Sequence, residues 1–132
     1  MAVRVVRLGT PRAPGEGLRL GTVRRPPRGV KKADFARRDY YDLWLPVLSP
    51  SQALVGSAQS QDWNDARWAK FAERYRAEMS RPAPRRLIGL LAQMSRHVNF
   101  SIGCYCEREE RCHRSLLKKL LEEEGATIGH SS

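Results

Sequence analysis

Three cysteines, a histidine and three arginines fall within one short stretch, Cys104-Tyr105-Cys106-Glu107-Arg108-Glu109-Glu110-Arg111-Cys112-His113-Arg114. A thiolate is both a nucleophile and a metal ligand, and neighbouring cations stabilise it. Cys112, beside Arg111 and followed by His113 and Arg114, is therefore the candidate nucleophile, with His113 as its candidate base. Cys104 and Cys106 are further candidate thiols. A cysteine-phosphatase loop needs a cysteine, five residues and an arginine, but Glu110 stands at that position counted from Cys104, and Cys112 counted from Cys106. Cys104, Cys106, Cys112 and His113 are all donor types that zinc accepts. The usual Cys-x2-4-Cys and His-x3-5-His spacings are missing, and adjacent Cys112 and His113 are poorly disposed toward one tetrahedral ion. No metal or other cofactor is expected.

The second reactive stretch is cationic: Arg24-Arg25-Pro26-Pro27-Arg28-Gly29-Val30-Lys31-Lys32. Its guanidinium and ammonium groups suit phosphate, and Gly29 is read as letting the backbone come close to a ligand. Arg25, Arg28, Gly29, Lys31, Lys32 and Arg114 form the candidate anion-binding set. The chain's 24 Lys and Arg against 14 Asp and Glu leave a net charge of +10. Of that, +9 lies in residues 1–38 (11 basic, two acidic) and +1 in residues 39–132 (13 basic, 12 acidic). A phosphate-bearing small molecule or nucleotide is the expected partner. A non-catalytic nucleic-acid-binding or interaction module is the alternative, because concentrated charge followed by Tyr40, Tyr41 and Trp44 can also serve a polyanion. Whether the protein is an enzyme is left open by these residues.

Elements must position both stretches. Val3, Val5 and Leu8 predict a short strand, and Leu18 to Val23 a second, in which Arg19 between Leu18 and Leu20 reads as the solvent side of a half-buried strand. Asp34 is placed as the cap of a helical turn near Phe35. Tyr40, Tyr41 and Trp44 fit a helical face in an otherwise irregular middle segment, which includes the small, polar stretch 56–61, and Ser49-Pro50-Ser51 starts a short helix. Asn64 caps a helix carrying Trp68, Ala72, Tyr75 and Met79, which Pro82 and Pro84 stop. Leu87, Leu90, Leu91, Met94 and Val98 mark the next helix, ending about Arg96. Val98, Phe100, Ile102 and Cys104 then alternate as a strand; Leu116, Leu117, Leu120 and Leu121 form a last helix closed by Gly125, and Ala126 to Ile128 add a short strand. This order predicts an α/β fold with a small, mostly parallel sheet of three to four strands flanked by helices, a single domain over 1–132 with a flexible tail at about 129–132.

In such sheets ligands bind at the carboxyl ends of strands and at the following helix N-termini. Both reactive stretches are predicted to follow strands and, if those strands are neighbours, to share one cleft. No apolar run approaches the roughly 20 residues of a bilayer span, and no export signal precedes the cysteines, so a cytoplasmic protein with reduced thiols and no membrane partner is expected.

These residues resemble a known family. Arg25 to Lys32 after a strand, the stretch with Trp44, the Phe71, Tyr75 and Glu78 pattern, and a strand ending in Cys-x-Cys followed by Cys112-His113-Arg114 are similar to the domain of unknown function family 488, the first half to its YeaO-like branch. The resemblance runs from about Leu18 to Leu121 and implies a small cytosolic α/β protein of bacterial type without an established activity. It marks Arg25, Pro27, Arg28, Gly29, Lys31, Lys32, Cys112, His113 and Arg114. Thr22 stands where the family usually has Asp, and Arg25 and Pro26 where the YeaO-like branch has Leu and Trp, which removes an acid or base from the end of that strand.

Overall fold

A computed structural model describes residues 1–59 and 63–129. Most of the tail and the end of the 56–61 stretch lie outside the described residues. Four parallel strands, β1 (Val3–Arg7), β2 (Leu18–Gly21), β3 (Leu43–Trp44) and β4 (Phe100–Cys104), form one sheet in the order β1-β4-β2-β3. Four α-helices accompany it: α1 (Gln52–Gln59), α2 (Asp65–Met79), α3 (Pro82–Met94) and α4 (His113–Glu123). The predicted small parallel α/β fold is thus the fold observed.

β4 is interior, with Ile102 opposite Val5 on one side and Leu20 on the other, and all five of its residues are buried. Val3, Val5, Leu20, Phe100 and Ile102 join one hydrophobic core with Phe71, Tyr75, Ile88, Leu91, Leu117 and Leu121 of the helices. The alternate positions of β2 and β4 meet loops. Gly21 lies against the Tyr41 ring and Gly103 against Leu8, both too close to admit a methyl group.

Arg19 breaks the predicted alternation: it is 0% exposed, buried like Leu20, while Leu18 is 60% exposed. The reason is a set of partners inside the fold. Its Nε and Nη2 donate to both oxygens of Glu16 (2.9 and 3.0 Å), and its Nη1 donates to the carbonyls of Thr10 and Asp39 (2.7 Å each). Glu16 also accepts from Ser101 Oγ (2.8 Å) and the Ala13 amide (3.2 Å). A desolvated ion pair is sustained only when its donors and acceptors find partners, and here four of the five Arg19 N–H donors and both Glu16 oxygens have them.

The remaining differences are local. Leu43 and Trp44 form an edge strand, not a helical face: the amides of Asp42 and Leu45 bond to the carbonyls of Arg19 and Gly21, and Asp39 at φ +61° breaks any continuing helix. Lys32–Asp34 form a 3-10 turn that contains Asp34, which was expected to cap it. Asn64 Oδ1 does cap α2, accepting from the Arg67 amide at 2.8 Å. Pro82 opens α3 directly, since proline fits the first helical turn, where no amide partner is missed. Ile88, not Leu90, enters the core, and Val98 remains exposed outside β4. Gly125, at φ +92°, lets the chain leave α4, after which Ile128 makes only an isolated bridge to Val3.

Truncating one member of a buried ion pair costs about 3–5 kcal/mol, so Glu16→Ala should lower the unfolding free energy measured in urea by that amount. Burial by itself would raise the Glu16 pKa, but bonds from Arg19, Ser101 and Ala13 prevail and hold it below its usual 4.5. The carboxylate's stabilisation is complete above 4.5 and is lost as pH falls through the lower native value. Wild-type stability should decline in that acid range, and Glu16→Gln should flatten the decline.

Candidate functional site

β4 ends at Cys104, a 3-10 turn (Glu109–Arg111) follows, and Cys112 takes the N-cap position of α4 in an extended conformation. The Cys112 carbonyl accepts from the Ser115 amide (3.0 Å) and hydroxyl (2.8 Å), which fixes the start of the helix. Strand end and helix start therefore converge on their sulfurs. Cys104 and Cys112 are disulfide-paired, Cys106 carries the free thiol, and the three Sγ atoms lie within 4.8 Å of one another. The expectation of three free thiols is corrected: the fold closes the eight-residue separation between the two buried cysteines, and Cys106 is left exposed.

His113 is buried, with Nε2 2.6 Å from the Thr22 carbonyl oxygen. A carbonyl only accepts, so Nε2 carries the proton and Nδ1 presents a lone pair, 3.8 Å from Cys112 Sγ. Burial, with Arg114 adding, pushes the His113 pKa down to about 4 against the opposing Thr22 bond, so the imidazole is neutral at pH 7. Such a ring can accept a hydrogen bond from a thiol but is a weak base toward it. Thr22, at the position the resemblance gives to Asp, holds the ring through its backbone, while its hydroxyl donates to the Gly103 carbonyl at 3.0 Å.

Arg114 points inward and is 5% exposed. Nη1 approaches the carbonyls of Val6 (3.3 Å) and Cys104 (3.4 Å) and Cys104 Sγ (3.6 Å), whereas Nε is buried without a partner. Burial lowers its pKa, and Cys106 and Glu109 oppose that. Tyr41, whose hydroxyl is also buried and unpartnered, packs with Leu8, Val23, Cys104 and Cys112. Arg111, in contrast, turns away to Asp65 (2.8 Å) and stacks over Trp68.

The basic loop lies at the same sheet edge because β2 and β4 are adjacent and parallel. Tyr105 ties the two loops: its hydroxyl donates to the Arg25 carbonyl (2.9 Å), and its own carbonyl accepts from Arg7 Nε (3.3 Å). Arg24 is held by the carbonyls of Pro50 (3.1 Å) and Ser49 (3.4 Å). Arg25, Arg28, Lys31 and Lys32 are exposed, and among the described residues their side chains have no ion-pair or hydrogen-bond partner. Gly29, at φ +72°, has nothing within 4 Å of where a Cβ would sit, so glycine serves the turn and not a close approach.

The matching family profile covers residues 3–125 and is described as the active DUF488-N3 subclade. The chain belongs to domain of unknown function family 488. No curated protein and no solved structure matched it. In this DUF488 chain, then, the fold brings Cys104, Cys106, Cys112, His113 and Arg114 together and leaves Arg25, Arg28, Lys31 and Lys32 on the adjoining exposed loop. Tyr105, Tyr41, Thr22 and Arg7 complete the surroundings; Tyr41 and Thr22 drew notice from sequence for other reasons, while Tyr105 and Arg7 did not, although Tyr105 stands between two cysteines and Arg7 at a strand end. A depression of about 230 Å³ lies elsewhere, between α2, α3 and α4, where the Arg76–Glu123 ion pair lines it. It contains none of these groups, so the chemistry, not the concavity, locates the site.

Cys106 should be the sole residue alkylated by iodoacetamide in the native, unreduced DUF488 protein, and denaturation with a reductant should expose Cys104 and Cys112. Intact-mass analysis should read one adduct and then three; three adducts without reductant would overturn the pairing.

Proposed function

We propose that this edge binds a phosphate-bearing small molecule or nucleotide, and that Cys112 is its reactive thiol when the Cys104–Cys112 pair is reduced. The observation supporting this is the adjacency of β2 and β4, with the Tyr105–Arg25 bond drawing the basic loop to the cysteine loop. Arg25, Arg28, Lys31 and Lys32 are the anion ligands. Their exposure without partners leaves their charge available to a ligand. The α4 N-terminus adds a favourable field for an anion and for a Cys112 thiolate. Arg114 balances sulfur charge from below, and neutral His113 orients Cys112 without withdrawing its proton completely. Glu107 opposes an anionic ligand, although Arg7 stands 3.6 Å from its carboxylate. Among the described residues no helix is long and apolar enough to cross a membrane.

A ligand that binds only the folded state stabilises it by about 2.7 kcal/mol at a hundred times its Kd, which thermal melts read as a shift of several degrees. Inorganic phosphate, pyrophosphate or nucleotides should raise Tm in low salt, and the double variant Arg28→Ala, Lys32→Ala should abolish the rise. Unmoved melts with all three would contradict the reading. Stabilisation by oligonucleotides alone, falling steeply with salt as counterion release is suppressed, would replace it with nucleic-acid binding.

A further inference from the structure

Three cysteine sulfurs stand together, with His113 Nδ1 beside that of Cys112, where their spacing in sequence predicted no metal site. In a tetrahedral zinc-type centre, metal–sulfur bonds of about 2.3 Å put neighbouring sulfurs about 3.8 Å apart, and a metal–nitrogen bond of about 2.0 Å puts nitrogen and sulfur about 3.5 Å apart. The Sγ atoms of Cys104, Cys106 and Cys112 lie within 4.8 Å of one another, and His113 Nδ1 is 3.8 Å from Cys112 Sγ. The adjacency of Cys112 and His113 is no obstacle here, because the extended backbone of Cys112 (φ −126°, ψ 148°) at the helix start brings the two donor atoms together.

Three further features fit an ion. Metal-binding histidines commonly donate their other ring N–H to a backbone carbonyl, which fixes the tautomer; His113 does so to Thr22 O at 2.6 Å. Once the pair is reduced, the 7.8 Å between the Cα atoms of Cys104 and Cys112 leaves room for an ion between their sulfurs. Three thiolates and a divalent ion carry a net charge of −1. The buried Arg114 guanidinium, 3.6 Å from Cys104 Sγ and with Nε unpartnered, supplies the balancing charge.

We propose that reduction converts the cluster into a site for one thiophilic divalent cation of the zinc class, ligated by the Sγ atoms of Cys104, Cys106 and Cys112 and by His113 Nδ1. A dithiol reductant supplies two electrons and two protons to the Cys104–Cys112 bond and leaves as its own disulfide. The cation then displaces the three thiol protons to solvent. Occupancy ties up the Cys112 sulfur, so the metal-loaded protein is silent in thiol chemistry. The site does not depend on the phosphate reading, and it is tested with no phosphate ligand present.

The probe is cadmium, added anaerobically to the fully reduced protein after removal of the reductant, with the ultraviolet thiolate-to-cadmium charge-transfer band as readout. The band should saturate at one cadmium per chain with the intensity of three thiolates, and the bound ion should protect all three cysteines from alkylation. Cys106→Ser, at an exposed position that does not threaten folding, should cut the band by about a third, from three sulfurs to two. Cobalt should give a tetrahedral visible spectrum that shifts in His113→Ala. The absence of a charge-transfer band would overturn the proposal, and so would an unchanged band in Cys106→Ser.

Discussion

The Glu16–Arg19 pair is the constraint on which the arrangement of this sheet depends. Through Ser101 it joins β2 to β4, and through Thr10, Ala13 and Asp39 it anchors the two loops that cover this side of the sheet. A charge pair without water is costly unless every lone pair and proton is matched, so the pair tolerates one register of β2 against β4. That register carries the chain ends at Thr22 and Cys104 to the same edge. The chemistry of the protein is thus set by a polar interaction some distance below it, more than by the apolar core that stabilises the helices.

At the edge, burial and charge divide the work. The sulfurs of Cys104 and Cys112 are withdrawn from water beside a desolvated guanidinium, His113 is kept neutral with its lone pair toward sulfur, and Cys106 faces outward. The cations on the basic loop face solvent. The proposed reading assigns two chemical functions to one edge, one to the buried cysteine cluster and one to the exposed cationic loop, with Tyr105 hydrogen-bonded or packed between them.

Much of this was legible in the residues. Alternation at Phe100, Ile102 and Cys104, the Asn64 cap and the Leu116–Leu121 spacing are local signals, and they predicted β4, α2, α4 and the parallel α/β class. The failures came from partners that only the folded chain brings into place. Arg19 reads as solvent-facing until Glu16, Thr10 and Asp39 are brought around it, and Leu43–Trp44 become a strand only because the Arg19 and Gly21 carbonyls need donors. Cysteine spacing disfavoured a metal site, and the missing export signal a disulfide, because neither signal describes a loop that folds back from strand end to helix start. The basic loop was visible as charge, but its tie to Tyr105 required the order of the strands.

The central claim is that the basic loop and the cysteine loop form one site, and amide chemical-shift mapping tests it most directly. On titrating the 15N-labelled protein with pyrophosphate, the amides of 25–32 and of 104–114 should move together along one saturation curve. Shifts confined to 25–32, or two segments saturating at different concentrations, would contradict it.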